Sequence, residues 1–148
     1  VKVSVVIPVW NPGAALDPAL DSLRAQTLDR GTIEVLLVDD GSTDGTGDRL
    51  DEIAAAEPMF SVTHIPNSGW PGKPRNIGIS MARGEYVLFM DQDDRIAPEA
   101  LERMYDLGHS SDADIVIGKV ISNFRGVPHN VFRRNAVGCS MSDAPLIE

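Results

Sequence analysis

Short runs of β-branched and aliphatic residues alternate along this chain with segments whose apolar residues recur at helical spacing, and this alternation limits the fold more than any other feature. The runs fall at residues 3–7, 33–38, 86–90 and 115–121, each closed by turn formers, as strands buried on both faces should be. A weaker run at 61–65 adds another strand. Between them, Leu16, Leu20 and Leu23, then Leu50, Ile53 and Ala54, then Ile77 and Met81, then Leu101, Met104 and Tyr105 keep the spacing of amphipathic helices. Pro18, Pro74 and Pro98 are expected at first helical positions, where the missing N–H costs nothing, and Gly84 is expected to end the third helix. Strand alternating with helix predicts an α/β layered fold with a mostly parallel central sheet. With 148 residues, 43% of them hydrophobic, one core and one domain are expected, and no repeat or low-complexity tract interrupts it. The ordered core is expected over 1–122, followed by an irregular flank over 123–148 that mixes Gly, Pro, Asn and basic residues.

Ligands in such sheets sit beyond the carboxyl ends of the strands, so the residues that follow each run matter most. These are Pro8-Val9-Trp10-Asn11, then Asp39-Asp40-Gly41-Ser42, then Asp91-Gln92-Asp93-Asp94. Three carboxylates within four residues repel one another unless a cation or hydrogen bonds offset them. An oxygen-only set suits Mg2+ or Mn2+, which keep positions open for phosphate and water. The plain alternative is a solvated turn whose acids cap the next helix. Asp40 at the second strand end is a candidate acceptor for a base N–H or a ribose hydroxyl, against the alternative of a turn with an N-cap. An EF-hand loop from Asp40 to Asp51 fails, because a strand leads in and Asp51 replaces the bidentate Glu. The Gly/Pro-rich stretch from Asn67 to Asn76 delivers Lys73 and Arg75 to a predicted helix start, a place that favours phosphate.

Other classes are excluded by what the chain lacks. A net charge of −9 without a basic face argues against nucleic acid as a partner. The single cysteine, Cys139, allows no internal disulfide and no Cys-based zinc site, which fits a reducing, cytoplasmic setting. No apolar run approaches the roughly 20 residues of a membrane span, and no signal peptide is visible. Neither G-x-G-x-x-G after the first strand nor a Walker-type G-x-x-x-x-G-K-[ST] is present. His64, His109 and His129 have no ligand-like spacing, and Ser140 and Ser142 show no nucleophile elbow.

The ordered set Val3-Ser4-Val5-Val6-Ile7-Pro8, Asn11, Val38-Asp39-Asp40-Gly41-Ser42-Thr43-Asp44, Arg75-Asn76, Gly84-Glu85-Tyr86 and Asp91-Gln92-Asp93-Asp94 resembles the family 2 glycosyltransferases of GT-A fold, over roughly residues 2–108. Ser68-Gly69-Trp70-Pro71-Gly72-Lys73-Pro74-Arg75-Asn76 and Arg125-Gly126-Val127-Pro128 look like the bacterial enzymes that attach N-acetylglucosamine to wall teichoic acid. The resemblance implies a Rossmann-like GT-A sandwich, a UDP-sugar donor such as UDP-N-acetylglucosamine, and inverting transfer to a hydroxyl of a cell-surface polymer or glycan. It also implies that Pro8, Val9 and Trp10 border the base, that Asp40 binds the uracil, and that Asn67 and Arg75 lie along the nucleotide. Asp91 would face the ribose or sugar, Asp93 with Asp91 would hold Mn2+ or Mg2+, Asp94 would support them, and Arg125 would touch donor or acceptor. Trp10 stands where the family often has Tyr, and Trp70 where the teichoic acid group often has a small residue.

The general base that accepts the acceptor's proton is expected beyond residue 148, in an acceptor-side region of a longer protein. Such a protein would work in the cytoplasm, peripheral to the inner face of the cell membrane. Two other classes compete. A sugar-nucleotide nucleotidyltransferase should carry a basic Gly-rich loop after the first strand, and Pro8 to Gly13 has no cation. A non-catalytic nucleotide-sugar-binding module would not need the intact acidic set.

Overall fold

A computed structural model describes residues 1–118 and the backbone of two further strands, at 121–124 and 127–130. The elements run β1 (Val3–Val9), α1 (Leu16–Arg24), β2 (Ile33–Asp39), α2 (Thr46–Ala56), β3 (Phe60–His64), α3 (Gly72–Met81), β4 (Tyr86–Phe89), α4 (Ala100–Ser111), β5 (Ile121–Phe124) and β6 (Val127–Asn130). The chain divides into two compact units, Val1–Leu101 and Glu102–Glu148. The boundary expected at residue 122 falls within the second of these.

In the first unit β1 to β4 form a parallel sheet in the order β3-β2-β1-β4. Every residue of β2 is buried, and β1 is buried but for Pro8, so these two strands carry the core that their apolar runs, interrupted by Ser4 and Glu34, predict. Leu16, Ala19, Leu20 and Leu23 form the buried stripe of α1. The third helix packs on β1 and β2, and α2 packs on β3. Gly78 sets the closeness of the α3 contact, because a Cβ there would lie 2.2 Å from Val6 Cγ1.

The strand order places the site. The chain winds outward from β1 through β2 to β3, then crosses back to lay β4 on the other side of β1. This reversal sets the carboxyl ends of β1 and β4 side by side, at the kind of switch point where ligands sit in such sheets. Trp10 and Asp91 are the residues delivered there.

Several local expectations need correction. Tyr86–Phe89 is an edge strand in this sheet, so Val87 and Phe89 are exposed instead of buried on both faces. Residues 115–118 form no strand, and Ile115 and Ile117 are exposed. The second unit's strands are instead β5, which begins at the last residue of the expected run, and β6, an antiparallel pair that extends into the stretch expected to be irregular. Pro18 and Pro74 stand at the third helical position, still within the turn whose N–H groups lack intrahelical acceptors, and Pro98 precedes α4. Gly84 lies past the end of α3 and serves close packing: a Cβ there would meet Ser4 N at 2.5 Å.

That close packing belongs to a polar knot built on the buried Ser4 and Glu34. The Glu34 carboxylate accepts from Ser4 Oγ at 2.6 Å, from Arg83 N at 2.7 Å and from the Arg83 guanidinium at 2.6 and 2.9 Å. Burial alone would raise the Glu34 pKa, but these donors outweigh it and hold the carboxyl below its ordinary value. The knot fastens the link between α3 and β4 to the two central strands.

Candidate functional site

A cleft of about 450 Å³ opens at the switch point, lined among others by Pro8, Val9, Trp10, Asp40, Asn67, Trp70, Arg75, Asp91 and Asp93. Eight of the nine residues expected from sequence to bind nucleotide-sugar therefore line one cleft; the ninth, Arg125, lies outside the described residues. Three segments form its walls.

The first wall is the end of β1. Asp40 N donates to the Val9 carbonyl at 2.8 Å, which joins the ends of β1 and β2. Trp10 follows, 54% exposed toward the cleft, and Asn11 then takes a left-handed conformation with φ of +44°. Asn is among the non-glycine residues that enter this conformation most readily, and its neighbours hold it there. Here Asn11 N donates to Ser42 Oγ at 3.0 Å and Thr43 N donates to Asn11 Oδ1 at 2.7 Å.

The second wall is the Asp39–Asp40 turn and the loop it holds. Asp40 is buried, and its two carboxylate oxygens accept from Ser68 N and Ser68 Oγ, each at 2.8 Å. Asn67 Nδ2 donates to the Asp40 carbonyl at 2.9 Å, and Gly69 N donates to Asn67 Oδ1 at 3.0 Å. Gly41 permits this approach, with φ of +73° and a Cβ position that would fall 2.7 Å from Asn67 N. Asp40 and Asn67 thus shape loop 67–71, and the carboxylate still has lone pairs to offer a ligand N–H. The loop carries Trp70, 75% exposed, into the cleft.

Behind this turn, Asp39 accepts from Ser42 N at 3.0 Å and meets His64 Nδ1 at 2.8 Å, while His64 Nε2 lies 3.2 Å from Asp51. Burial pushes Asp39 up, but Ser42 and His64 outweigh it and lower its pKa. The hydrogen bonds to Asp39, then Asp51, raise that of His64. His64 is therefore a bracing group outside the cleft, which agrees with the structural role expected from its isolated position.

The third wall is acidic. Asp91 and Asp93 line the cleft, and Arg75, delivered by the first turn of α3, pairs with Asp91 at 2.5 Å. Arg75 Nε is buried and has no hydrogen-bond partner. Loss of solvent around its carboxyl, then the charges of Asp91 and Asp93, raise the pKa of Asp94. Among the described residues no three acidic, histidine or cysteine side chains converge into a ready metal cage. A cation here would take one or two carboxylates from the protein and the rest from a ligand, the pattern typical of Mg2+ beside phosphate.

Sequence reasoning missed the work of Ser68 and Gln92. Ser68 is the partner that consumes Asp40, and no spacing rule announces it. Gln92, at the centre of Asp91-Gln92-Asp93, hydrogen-bonds the Trp10 backbone; it is the neutral residue inside an acidic run, a signal that was visible.

The model of the glycosyl transferase family 2 matches residues 4–144. The chain belongs to that family. It is 39% identical over 148 residues to a poly(ribitol-phosphate) beta-glucosyltransferase of Bacillus spizizenii, covering 99% of this chain and 23% of that protein. Among solved structures, S. aureus TarS 1-349 in complex with UDP-GlcNAc superposes with a TM-score of 0.79 at 35% identity, over 90% of this chain and 39% of that one. A mannosyltransferase of Pyrobaculum calidifontis in complex with GDP-Man and Mn2+ superposes with a TM-score of 0.55 at 29% identity, over 64% of this chain and 28% of that one. The expected GT-A fold and the likeness to teichoic acid glycosyltransferases are both borne out. The chain thus spans under a quarter of the length of the Bacillus relative. No helix among the described residues is long and apolar enough to cross a membrane.

Proposed function

We propose that this chain forms the donor-binding part of an inverting glycosyltransferase that moves a sugar from a UDP-sugar to a hydroxyl of a cell-surface polymer or glycan. The observation that carries the reading is the meeting of an exposed tryptophan, a buried carboxylate, an arginine and an acidic pair in one cleft at the switch point. In this reading the planar base lies against Trp10, and Asp40 accepts its N–H. Asn67 and Arg75 follow the nucleotide toward Asp91 and Asp93. The UDP-GlcNAc carried by the TarS structure supports UDP-N-acetylglucosamine as donor, and the Bacillus relative's name supports glucose. Trp70 is the residue on the cleft wall that could separate such sugars.

The departing nucleoside diphosphate gathers negative charge, and the residues present fit a divalent cation beside it. Asp93 and Asp91 offer oxygen ligands only, they lie in the cleft, and Arg75 supplies one positive partner for two acids. Mn2+ or Mg2+ held there would act as a Lewis acid toward the leaving diphosphate. Arg75 would add fixed positive charge at the same end, in a geometry braced by α3. The Arg75–Asp91 pair keeps the arginine on the cleft wall before any donor arrives. The base that accepts the acceptor's proton is proposed to come from outside the described residues, and the reading carries a cytoplasmic location with the acceptor polymer at the membrane face.

Nucleotide preference tests this reading. UDP and UDP-sugars should displace one another from the chain with Mg2+ present, and UTP and CTP should compete more weakly. A preference for the triphosphates would instead favour a nucleotidyltransferase.

A further inference from the structure

We infer that Gln92 is a positioning residue that clasps the two ends of the donor cleft together, fixing the acidic pair to the aromatic wall. The inference rests on reading the cleft as a UDP-sugar site. Gln92 accepts from Trp10 N at 2.8 Å through Oε1 and donates from Nε2 to the Trp10 carbonyl at 3.2 Å. One amide thus satisfies both backbone groups of a single residue across 82 positions of sequence. No other side chain is recorded on those two groups among the described residues.

The bonds matter because of what stands on either side of them. β1 stays paired with β2 as far as Val9, but with β4 only as far as Val6 and Phe89, after which one further bond runs from Met90 N to the Val6 carbonyl. Past that point no ladder hydrogen bond holds the acidic loop to the end of β1. Gln92 replaces the missing rungs. Asn11, immediately after Trp10, is held at positive φ by Ser42 and Thr43, so Trp10 is fixed from one side by the second strand's turn and from the other by the acidic loop. The stretches of backbone that carry the indole and the carboxylates of Asp91 and Asp93 are thereby tied together. A ligand that engages both ends gains from this, since its base and its diphosphate meet groups already set at a fixed separation.

The middle residue of the acidic motif therefore needs an amide, for a reason separate from ligand contact. An acid of the same length could accept from Trp10 N but would lose the bond to the carbonyl. An apolar residue would lose both. The clasp also predicts that the cost of losing Gln92 passes through the indole.

The chain has two tryptophans, so in a Trp70→Phe background the emission comes from Trp10 alone. Gln92→Met keeps length and volume but makes neither bond. Without ligand, the anisotropy of Trp10 emission should fall in Gln92→Met and fall less in Gln92→Glu, which retains the acceptor for Trp10 N but loses the donor to the Trp10 carbonyl. With Mg2+, UDP should bind Gln92→Met about tenfold more weakly, the equivalent of about 1.4 kcal/mol. That penalty should shrink to about twofold when Trp10→Ala has already removed the indole. Unchanged anisotropy, or a tenfold penalty that persists in the Trp10→Ala background, would overturn the clasp. Failure of the parent chain to bind UDP at all would overturn the reading of the cleft, and the anisotropy comparison would still decide the clasp.

Discussion

Replacing Gly78 with alanine should strain the one contact that lets α3 lie close enough to bring Arg75 to the cleft. A Cβ at this position would fall 2.2 Å from Val6 Cγ1, 3.0 Å from Cγ2 and 3.2 Å from Cβ. Rotating the valine gives no relief, because its own Cβ is already close and a β-branched side chain is stiff at χ1. Ordinary contact begins near 3.4 Å, so the helix must move outward by roughly 1.2 Å. Overpacking of this kind costs about 1–3 kcal/mol, and the stiffness of Val6 puts the cost near the upper end. The better helix propensity of alanine returns about 1 kcal/mol. A net loss of about 2 kcal/mol is expected in urea unfolding. Arg75 sits one turn earlier on the same helix and would be displaced with it, so UDP binding should weaken as well. Val6→Ala removes the two nearest atoms, and the double variant should recover at least about 1 kcal/mol relative to the sum of the single losses. A Gly78→Ala chain as stable as the parent, or strict additivity with Val6→Ala, would refute the argument that this glycine is a packing requirement.

Other expectations follow from the same geometry. Asp40→Ala leaves Ser68 N without its acceptor and should cost about 1–3 kcal/mol while exposing loop 67–71 to limited proteolysis, whereas Asp40→Asn should do less harm. Glu34→Ala should destabilise the chain by about 1–3 kcal/mol in urea unfolding, because Ser4 and Arg83 N lose their acceptor, while the exposed Arg83 guanidinium turns to water at little cost. Through its bonds to Asp39 and Asp51, His64 has a folded-state pKa above its unfolded value. Its contribution is full below about pH 6.5 and is lost as pH rises through the folded-state value. Melting curves from pH 5.5 to 8.5 should show a decline that His64→Gln removes. A decline of equal size in that variant would reject the assignment.

Much of this was legible in the residues, for identifiable reasons. The two central strands are apolar but for Ser4, Glu34 and the closing Asp39 because both of their faces are covered, and such runs mark their own boundaries. The residues after them had to lie at the carboxyl edge, which is why Trp10, Asp40 and Asp91 could be named before any coordinates. The failures have a shared cause too. The run at 115–121 is apolar enough for a strand, but pairing depends on a partner that composition does not reveal, and the strands form at 121–124 and 127–130 instead. Gly84 reads as a helix stop in one dimension and is a contact with Ser4 in three. Ser68 and Gln92 act on groups 28 and 82 positions away; the neutral Gln92 stands out inside its acidic run, but nothing local names the partner of either residue.

The most direct test of the account is calorimetric titration of the chain with UDP, with and without Mn2+, repeated on Asp93→Ala. Binding that requires the metal in the parent chain and loses that requirement, with at least about tenfold weaker affinity, in the variant is the predicted result. Binding of equal strength in both chains, indifferent to Mn2+, would contradict the assignment of the acidic pair as the diphosphate end of a UDP-sugar site.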